Sequence, residues 1–370
     1  MSRLRVAIVT ESFPPSVNGV AGTVARVAEH LRRRGHEVVV VAPGPGQDGH
    51  DGVPVVRVPS LPLPLCPELP VGLPVPRLRE TLEAFRPDVV HLASPAVLGH
   101  AGGRIARDLG VPVLAVHQTD LPGFATRYRL RPLARPLWGW VRRTHALADR
   151  TLAATPTVAR DLRLAGVRDV HVWGRGVDAE RFTPRLRTRP SAPAVLRVGY
   201  VGRLAPEKAV ERLAPLVDLP GTELVVVGDG VARRALERRL PGATFTGVLR
   251  GTELARAFAD LDLFVHTGTH ETFCQTVQEA MASGVVVVVP DAGGPRDLVT
   301  DGVTGRWWDA TDPSSLRRVV AELLDDERQR RRLAAAGAAT VAGRSWERLG
   351  DELLDHLRAV ALRDRSRAAA

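Results

Sequence analysis

The chain predicts an α/β protein made of two successive Rossmann-like halves, and three observations carry that prediction. Short, mostly apolar runs recur along its length; Val6–Thr10, Glu37–Ala42, Val113–His117, Leu196–Val201 and Val285–Val289 are the clearest. Such runs fit strands buried on both faces of a parallel sheet better than the alternation of a half-exposed one. Between them lie segments of helical period, so strand and helix alternate as in βαβ units. The rhythm breaks once, over Gly174–Pro193, where glycine, proline and arginine crowd together, and then starts afresh.

In the first half the predicted elements are strand Val6–Thr10, helix Val20–Arg34 stopped by Gly35, and strand Glu37–Ala42. A proline-rich stretch, Leu61–Pro76, reads as irregular. Helix Pro76–Phe85, strand Val89–Leu92, helix Ala96–Leu109, strand Val113–His117, strand Thr151–Ala154, helix Thr157–Ala165 and strand Val170–Trp173 follow. The second half supplies strands Leu196–Val201, Leu224–Val227, Leu263–Val265 and Val285–Val289. Its helices fall at Ala209–Val217, Val231–Leu240, Thr252–Ala259, Thr272–Ser283 and Pro295–Val299, and from Pro313 the pattern is helical, with Trp346 opening the last helix.

A length of 370 residues suits two domains, and 44% hydrophobic with 25% charged residues suits a folded chain. No apolar run nears the ~18 residues of a membrane span. Val6–Val9 leads into Thr10-Glu11 without a cleavage site, so no signal peptide is expected and the chain reads as cytoplasmic. Cys66 and Cys274 are too few for a disulfide framework and too isolated for zinc.

The net charge of +10 is uneven: up to Val172 the chain has 22 Arg against 14 Asp and Glu, which is +8. Arg127, Arg129, Arg131, Arg135, Arg142 and Arg143 form a run without an acid, beside Trp138 and Trp140. Such a patch suits nucleic acid or anionic lipid. The plainer reading is that arginine is simply this chain's surface cation, since Lys208 is its single lysine. A helix over Pro136–Asp149 would carry Leu137, Trp140, Val141 and Ala148 on one side and Arg142 and Arg143 elsewhere. It fits a bilayer surface with tryptophans at headgroup depth, or a core helix with a basic back. No nucleic-acid-binding motif accompanies the charge, and neither half's first strand is followed by G-x-G-x-x-G, so nucleic-acid binding and dinucleotide oxidation are both disfavoured.

The most informative stretch is His266–Glu279. Glu271 lies in the loop after strand Leu263–Val265, and Glu279 eight residues on, about two turns into the predicted helix. Two carboxylates bracketing a helix N-terminus suit a ligand with hydroxyls at both ends and a diphosphate between them. A nucleotide sugar has that shape. By itself the spacing is equally compatible with a loop glutamate and a solvated helix glutamate. Val201–Lys208 adds two cations, Arg203 and Lys208, beyond the carboxyl end of a strand, where ligands of open α/β sheets bind. Arg offers a fork for phosphate oxygens and Lys a compact point charge. Gly228-Asp229-Gly230 ends another strand and is placed to border the nucleotide, whereas Asp260-Leu261-Asp262 lies at a strand's amino end, so it reads as capping and solvation instead of a metal site.

These motifs resemble the retaining family 4 glycosyltransferases of GT-B fold: Val201-Gly-Arg-Leu with Glu207-Lys208, Glu271 with Glu279, Asn18-Gly19, Gly176-Val-Asp178 and Gly293-Gly294, spread in order over nearly the whole chain. Longer strings, Val6–Phe13, His91–Ala96, Gln118–Phe124 and His270–Gln275, resemble the actinobacterial GDP-mannose-dependent α-mannosyltransferases that act on membrane glycolipids. His270 and Cys274-Gln275 depart from what most of the family carries.

The resemblance implies two Rossmann-like domains facing across a cleft. Met1–Val172 would be the acceptor-binding domain, Trp173–Ser345 the donor-binding domain, and the last helix, 346–370, would cross back onto the first. It implies that Arg203 and Lys208 neutralise the donor diphosphate, that Gly19 admits the phosphate, and that Glu271, backed by Thr272, Phe273 and Cys274, holds the transferred sugar. Glu279 would bind the ribose, with Gly228 and Asp229 beside the nucleotide; His117 would sit near the reacting face of the sugar, and Asp120 would orient it or touch the acceptor. The expected reaction moves mannose from GDP-mannose to a glycolipid or lipid-linked acceptor with retention, without metal, cofactor or covalent intermediate. A UDP-hexose donor with a soluble acceptor is the alternative, since no residue chemistry here selects guanine over uracil. The expected partners are the nucleotide sugar, the lipid acceptor and an anionic membrane met by Arg127–Arg143, with the enzyme peripheral at the inner face.

Overall fold

The computed structural model describes residues 3–16, 18–63, 66–123, 131–190 and 194–368. The chain forms two compact units, the first from Met1–Pro122, Pro132–Arg175 and Trp346–Ala370, the second built on Gly176–Ser345.

The first unit opens with β1 (Arg5–Val9), α1 (Gly19–Arg33) and β2 (Glu37–Pro43), followed by β3 (Gly49–His50) and β4 (Val53–Val58). A separate antiparallel ribbon comprises β5 (Ser60–Leu63) and β6 (Cys66–Gly72). Then come α2 (Pro76–Phe85), β7 (Val89–Leu92), α3 (Val97–Asp108), β8 (Val113–His117), α4 (Ala134–His145), β9 (Arg150–Ala153), α5 (Pro156–Leu164) and β10 (Val170–Val172). The sheet order is β10-β9-β8-β7-β1-β2-β4-β3, with every pairing parallel except β3 with β4. Successive residues of β1 feed opposite faces: Val6 and Ile8 join one apolar cluster, Ala7 and Val9 the other. That two-sided burial is why the strand reads as an unbroken apolar run.

The helix Trp346–Ala368 belongs to the first face. Leu349, Leu353, Leu357 and Val360, spaced as one helical stripe, bury against Val24, Val27 and Leu31 of α1. Trp173 donates its indole N–H to the carbonyl of Leu349 at 2.9 Å, and His30 meets Asp351 at 2.9 Å. Asn18 caps α1, its Oδ1 accepting from the amides of Val20 (3.1 Å) and Ala21 (2.9 Å).

The second unit holds β11 (Leu196–Val201), β12 (Thr222–Val227), α6 (Arg233–Arg239), β13 (Thr244–Gly247), α7 (Gly251–Ala259), β14 (Leu263–Val265), α8 (Gln275–Ala282), β15 (Val286–Pro290), α9 (Gly293–Leu298), β16 (Arg306–Trp308), α10 (Ser315–Asp325) and α11 (Glu327–Val341). Its sheet runs β13-β12-β11-β14-β15-β16, all parallel. Leu263 and Val265 face one core cluster and Phe264 the other.

Two expectations fail locally. Leu61–Pro76 is not irregular throughout; its prolines hid the ribbon of β5 and β6, because proline weakens a strand signature and yet is tolerated where a backbone N–H is unneeded. The helix expected over Ala209–Val217 is instead a pair of tight 3-10 segments, Pro206–Lys208 and Val210–Leu216. Ala209 between them sits at φ 51°, and Pro215 lacks the N–H an α-helix would need there.

Candidate active site

In the second sheet, β11 connects toward β12 on one side, while β14 leads toward β15 on the other. The chain therefore leaves the carboxyl ends of the neighbours β11 and β14 in opposite directions, which opens a crevice at that switch point. The loop Gly202–Lys208 follows β11, and the loop His266–Cys274 follows β14, so the two motifs singled out in the sequence meet there.

Lys208 donates its ammonium to the Glu271 carboxylate across this point. Burial opposes ionisation of Glu271, but the charge and hydrogen bond of Lys208, aided by Arg203, outweigh it and hold the carboxyl below its usual range. The same pairing raises the Lys208 ammonium above its ordinary value against its own burial. Backbone stitches fix the two loops: Thr267 Oγ1 donates to the carbonyl of Lys208 at 2.7 Å, and Arg212 to the carbonyl of Thr267 at 3.0 Å. Arg203 pairs with the buried Glu207 four residues on, and Tyr200 Oη donates to its carbonyl at 3.1 Å.

His266 lies under this floor. Its ring stacks on Tyr200 with centroids 6.4 Å apart, its carbonyl accepts from Trp308 Nε1 at 3.1 Å, and its Nε2 stands 3.7 Å from Glu271. Burial pushes its pKa down to about 4, so the ring is neutral at pH 7. Its Nδ1 is 3.4 Å from Cys274 Sγ, which also meets Thr276 Oγ1 at 3.2 Å; burial, then the Glu271 charge, push the thiol up to about 12.

Helix α8 starts at Gln275, later than the predicted Thr272. Thr272, Phe273 and Cys274 therefore belong to the loop, and Glu279 stands half-buried one turn into the helix, not two. Cys274 at φ 94°, ψ 84° turns the chain into the helix, which delays the start. The glycines after β15 explain how this loop is held. Gly294 donates its amide to the carbonyl of Glu271 at 2.7 Å, and a Cβ there would lie 2.6 Å from Thr272 O and Phe273 N.

Gly228 follows β12 at φ 135°, with the carbonyl of Gly202 so close that a Cβ would lie 1.9 Å from it. Asp229 accepts from the Gly230 amide at 2.7 Å and pairs with Arg233 at 3.0 Å, so it braces the turn beside the crevice. Asp260 and Asp262 are not solvated. Asp260 accepts from Thr188 N (2.7 Å) and Oγ1 (2.8 Å), while Asp262 accepts from Arg197 N at 2.7 Å and pairs with Arg187. They tie the segment entering the second unit onto the amino edge of its sheet. Among the described residues no group of three or more His, Cys, Asp or Glu is arranged to hold a metal.

In the first unit His117 ends β8 at the carboxyl edge and is buried, which lowers its pKa to about 4. Its Nδ1 is 3.3 Å from His145 Nε2. Gln118, next in sequence, donates to the carbonyl of Ala93 and accepts from Arg175 at 3.0 Å; Arg175 also donates to the carbonyl of Gly19 at 3.3 Å. Asp120 lies half-buried beyond. Glu11, after β1, is half-buried with its Oε1 accepting from the amides of Ala96 (3.1 Å) and Gly99 (2.9 Å), and the desolvation of its carboxyl pushes the pKa up to about 7 despite these bonds. Sequence reasoning missed Arg175, His145 and Glu11 as site residues. Arg175 is one arginine among 50, and only the fold aligns it with Gly19.

The basic segment is reached only in part. Arg127 and Arg129, and the side chain of Arg131, lie outside the described residues, while Arg135, Arg142 and Arg143 are exposed on α4. Both tryptophans are half-buried: Trp138 packs on the cluster of Val141 and Leu162, and Trp140 lies tilted against His100 with ring centroids 4.4 Å apart.

Residues 17–181 match the model of Glycosyltransferase Family 4, and residues 191–340 that of Glycosyl transferases group 1. The chain is 50% identical, over all of both chains, to a GDP-mannose-dependent alpha-mannosyltransferase of Mycobacterium tuberculosis. It is 45% identical to one from Corynebacterium glutamicum, over 95% of this chain and 88% of the relative. Its fold resembles that of Anabaena Alr3699/HepE in complex with UDP and glucose, with a TM-score of 0.77 at 20% identity over 96% of this chain and 100% of that one. The fold is GT-B, built of two Rossmann-like units. With both halves matched and full-length relatives at this identity, the chain belongs to the family 4 glycosyltransferases and is a glycosyltransferase.

Proposed function

We propose that the enzyme transfers a mannosyl group from GDP-mannose to a glycolipid or lipid-linked acceptor, with retention of anomeric configuration. The observation that carries the donor assignment is half-identity along the whole chain to an enzyme named for GDP-mannose. Arg203 and Lys208 serve as the cations for the diphosphate. Glu271 takes the sugar hydroxyls, backed by Thr272, Phe273 and Cys274, and Glu279 takes the ribose. Within the first unit, Gly19 is assigned to the phosphate and His117 to the reacting sugar, with Asp120 assigned to the acceptor.

In the free enzyme Lys208 is neutralised by Glu271. As the glycosidic bond stretches, negative charge grows on the departing diphosphate, and the two cations stabilise that charge more than they stabilise the ground state. The acceptor hydroxyl then enters from the departing phosphate's own side, its proton passing to that phosphate. No protein nucleophile takes part, and no divalent ion is required. The lipid acceptor is supported by the exposed Arg135, Arg142 and Arg143 of α4, which suit an anionic surface.

The assignment is tested by thermal shift and transfer assays. GDP and GDP-mannose should raise the midpoint while UDP and UDP-glucose leave it unchanged, and radiolabelled mannose should enter a lipid-extractable product in the presence of a chelator. A UDP-only response would remove the mannose reading in favour of a UDP-hexose. Activity restored only by manganese would remove metal independence.

A further inference from the structure

Behind His117 stands a chain of hydrogen-bonding groups that no role assigned above uses. His117 Nδ1 is 3.3 Å from His145 Nε2, and His145 Nδ1 is 3.2 Å from Thr151 Oγ1. Three elements contribute: β8 ends on His117, α4 ends on His145, and Thr151 belongs to β9, the strand paired with β8. All three side chains are buried, at 5%, 3% and 1% exposure. The preceding residue of α4, Thr144, is anchored separately by His100 Nδ1 at 3.0 Å, so the end of the helix is held on both sides.

We propose that His145, held by Thr151, is a positioning residue that fixes the ring plane of His117 and ties its tautomer to its own. Two neutral imidazoles and one hydroxyl allow only two consistent proton arrangements. If Thr151 donates to His145 Nδ1, then His145 donates from Nε2 to His117 Nδ1, and His117 presents a protonated Nε2. If Thr151 accepts, every bond reverses and His117 presents a bare Nε2. Either way, both rings act as one unit, and a mixed arrangement would leave a buried donor or acceptor without its partner. His117 is thereby held in one ring plane at the edge of the sheet, and its tautomer changes only together with that of His145.

This inference rests on His117 being a site residue, and the test separates the two. Thr151→Val keeps the shape of the side chain and removes the hydroxyl, while Thr151→Ser keeps the hydroxyl. Long-range 15N–1H spectra of histidine-labelled enzyme report which ring nitrogen of His117 is protonated. Wild type and Thr151→Ser should each show His117 and His145 protonated on the same ring nitrogen, both Nε2 or both Nδ1. Thr151→Val, whose methyl neither donates nor accepts, should release His145 and with it His117, so that the two rings no longer match, with kcat lowered by at least about tenfold and KM for the nucleotide sugar unchanged. Thr151→Val with the wild-type tautomer and kcat would overturn the proposal. Full activity in His117→Ala would overturn the reading of His117, and with it the positioning role, even where the spectra behave as expected.

Discussion

Lys208 and Glu271, 63 residues apart in sequence, form a largely buried ion pair at the switch point of the second sheet. Neither charge has much water to fall back on, so each depends on the other. Lys208→Met should cost about 3 kcal/mol of stability, because it strands the carboxylate. Lys208→Met with Glu271→Gln should recover most of that loss. Chemical denaturation of the two single variants and the double reads the coupling, and simple additivity of the singles would show that the pair contributes nothing of its own.

Cys274 occupies a backbone region that ordinarily belongs to glycine, at φ 94°. Cys274→Ala keeps the strain and loses the thiol's contacts with His266 and Thr276. Cys274→Gly loses those contacts and releases about 1 kcal/mol of strain. The glycine variant should therefore melt no lower than the alanine one, inverting the usual order. An alanine variant that is clearly the more stable would remove the strain argument.

Gly294 leaves no space for a methyl group against Thr272 and Phe273. Gly294→Ala must push the loop that carries Glu271, and a displacement near 1 Å costs roughly 100-fold in turnover when it misplaces reacting groups. The protein should still fold, since the change falls in the first turn of a short helix beyond the carboxyl end of β15 and leaves both core clusters intact. Turnover within a factor of a few of wild type would show that the loop tolerates the shift.

The buried histidines set the acid side of the stability curve. His91, His117 and His266 are each lowered to about 4 by burial, below the ordinary 6.5. Between these values the unfolded chain binds more protons, so their contribution is complete above pH 6.5 and is lost as pH falls toward 4. Each contributes a slope of up to about 1.4 kcal/mol per pH unit in that window. Glu11 runs the other way, raised to about 7 from 4.5, so its share is present below 4.5 and lost as pH rises through 7. Urea denaturation from pH 5 to 8 should show Glu11→Gln holding its stability better than wild type on the alkaline side. Parallel curves for the two proteins would refute this.

The strands were legible where burial on both faces wrote an unbroken apolar run, as in β1, β8, β11 and β15. The two edge strands of the second sheet were not: β13 alternates exposed and half-buried residues over Thr244–Gly247, and β16 is only Arg306–Trp308, too short to show a period. The meeting of the two motifs at the switch point was readable because Arg203 and Lys208 share the loop after one strand and Glu271 lies in the loop after another. By contrast, Arg175 reaches Gly19 across 156 residues and His145 reaches His117 from another element, so neither pairing leaves a local pattern. Cys274 marks the limit of helix prediction: the residue is compatible with a helical pattern, and only its backbone angle shows that the helix has not begun.

The helix Trp346–Ala368 completes the core that β1 begins, which has a consequence for the order of assembly during synthesis. Ile8 and Leu31 emerge from the ribosome early, yet the side chains that cover them, Leu353 and Leu357 among them, come more than 300 residues later. The second unit, by contrast, is complete in sequence once Ser345 has been made. At translation rates of about 5–20 residues per second, the nascent first unit therefore waits for at least about 15 seconds with one apolar face uncovered. In the meantime the second unit can close. The enzyme's N-terminal half is thus the last to finish folding, and it is the half that chaperones would have reason to hold.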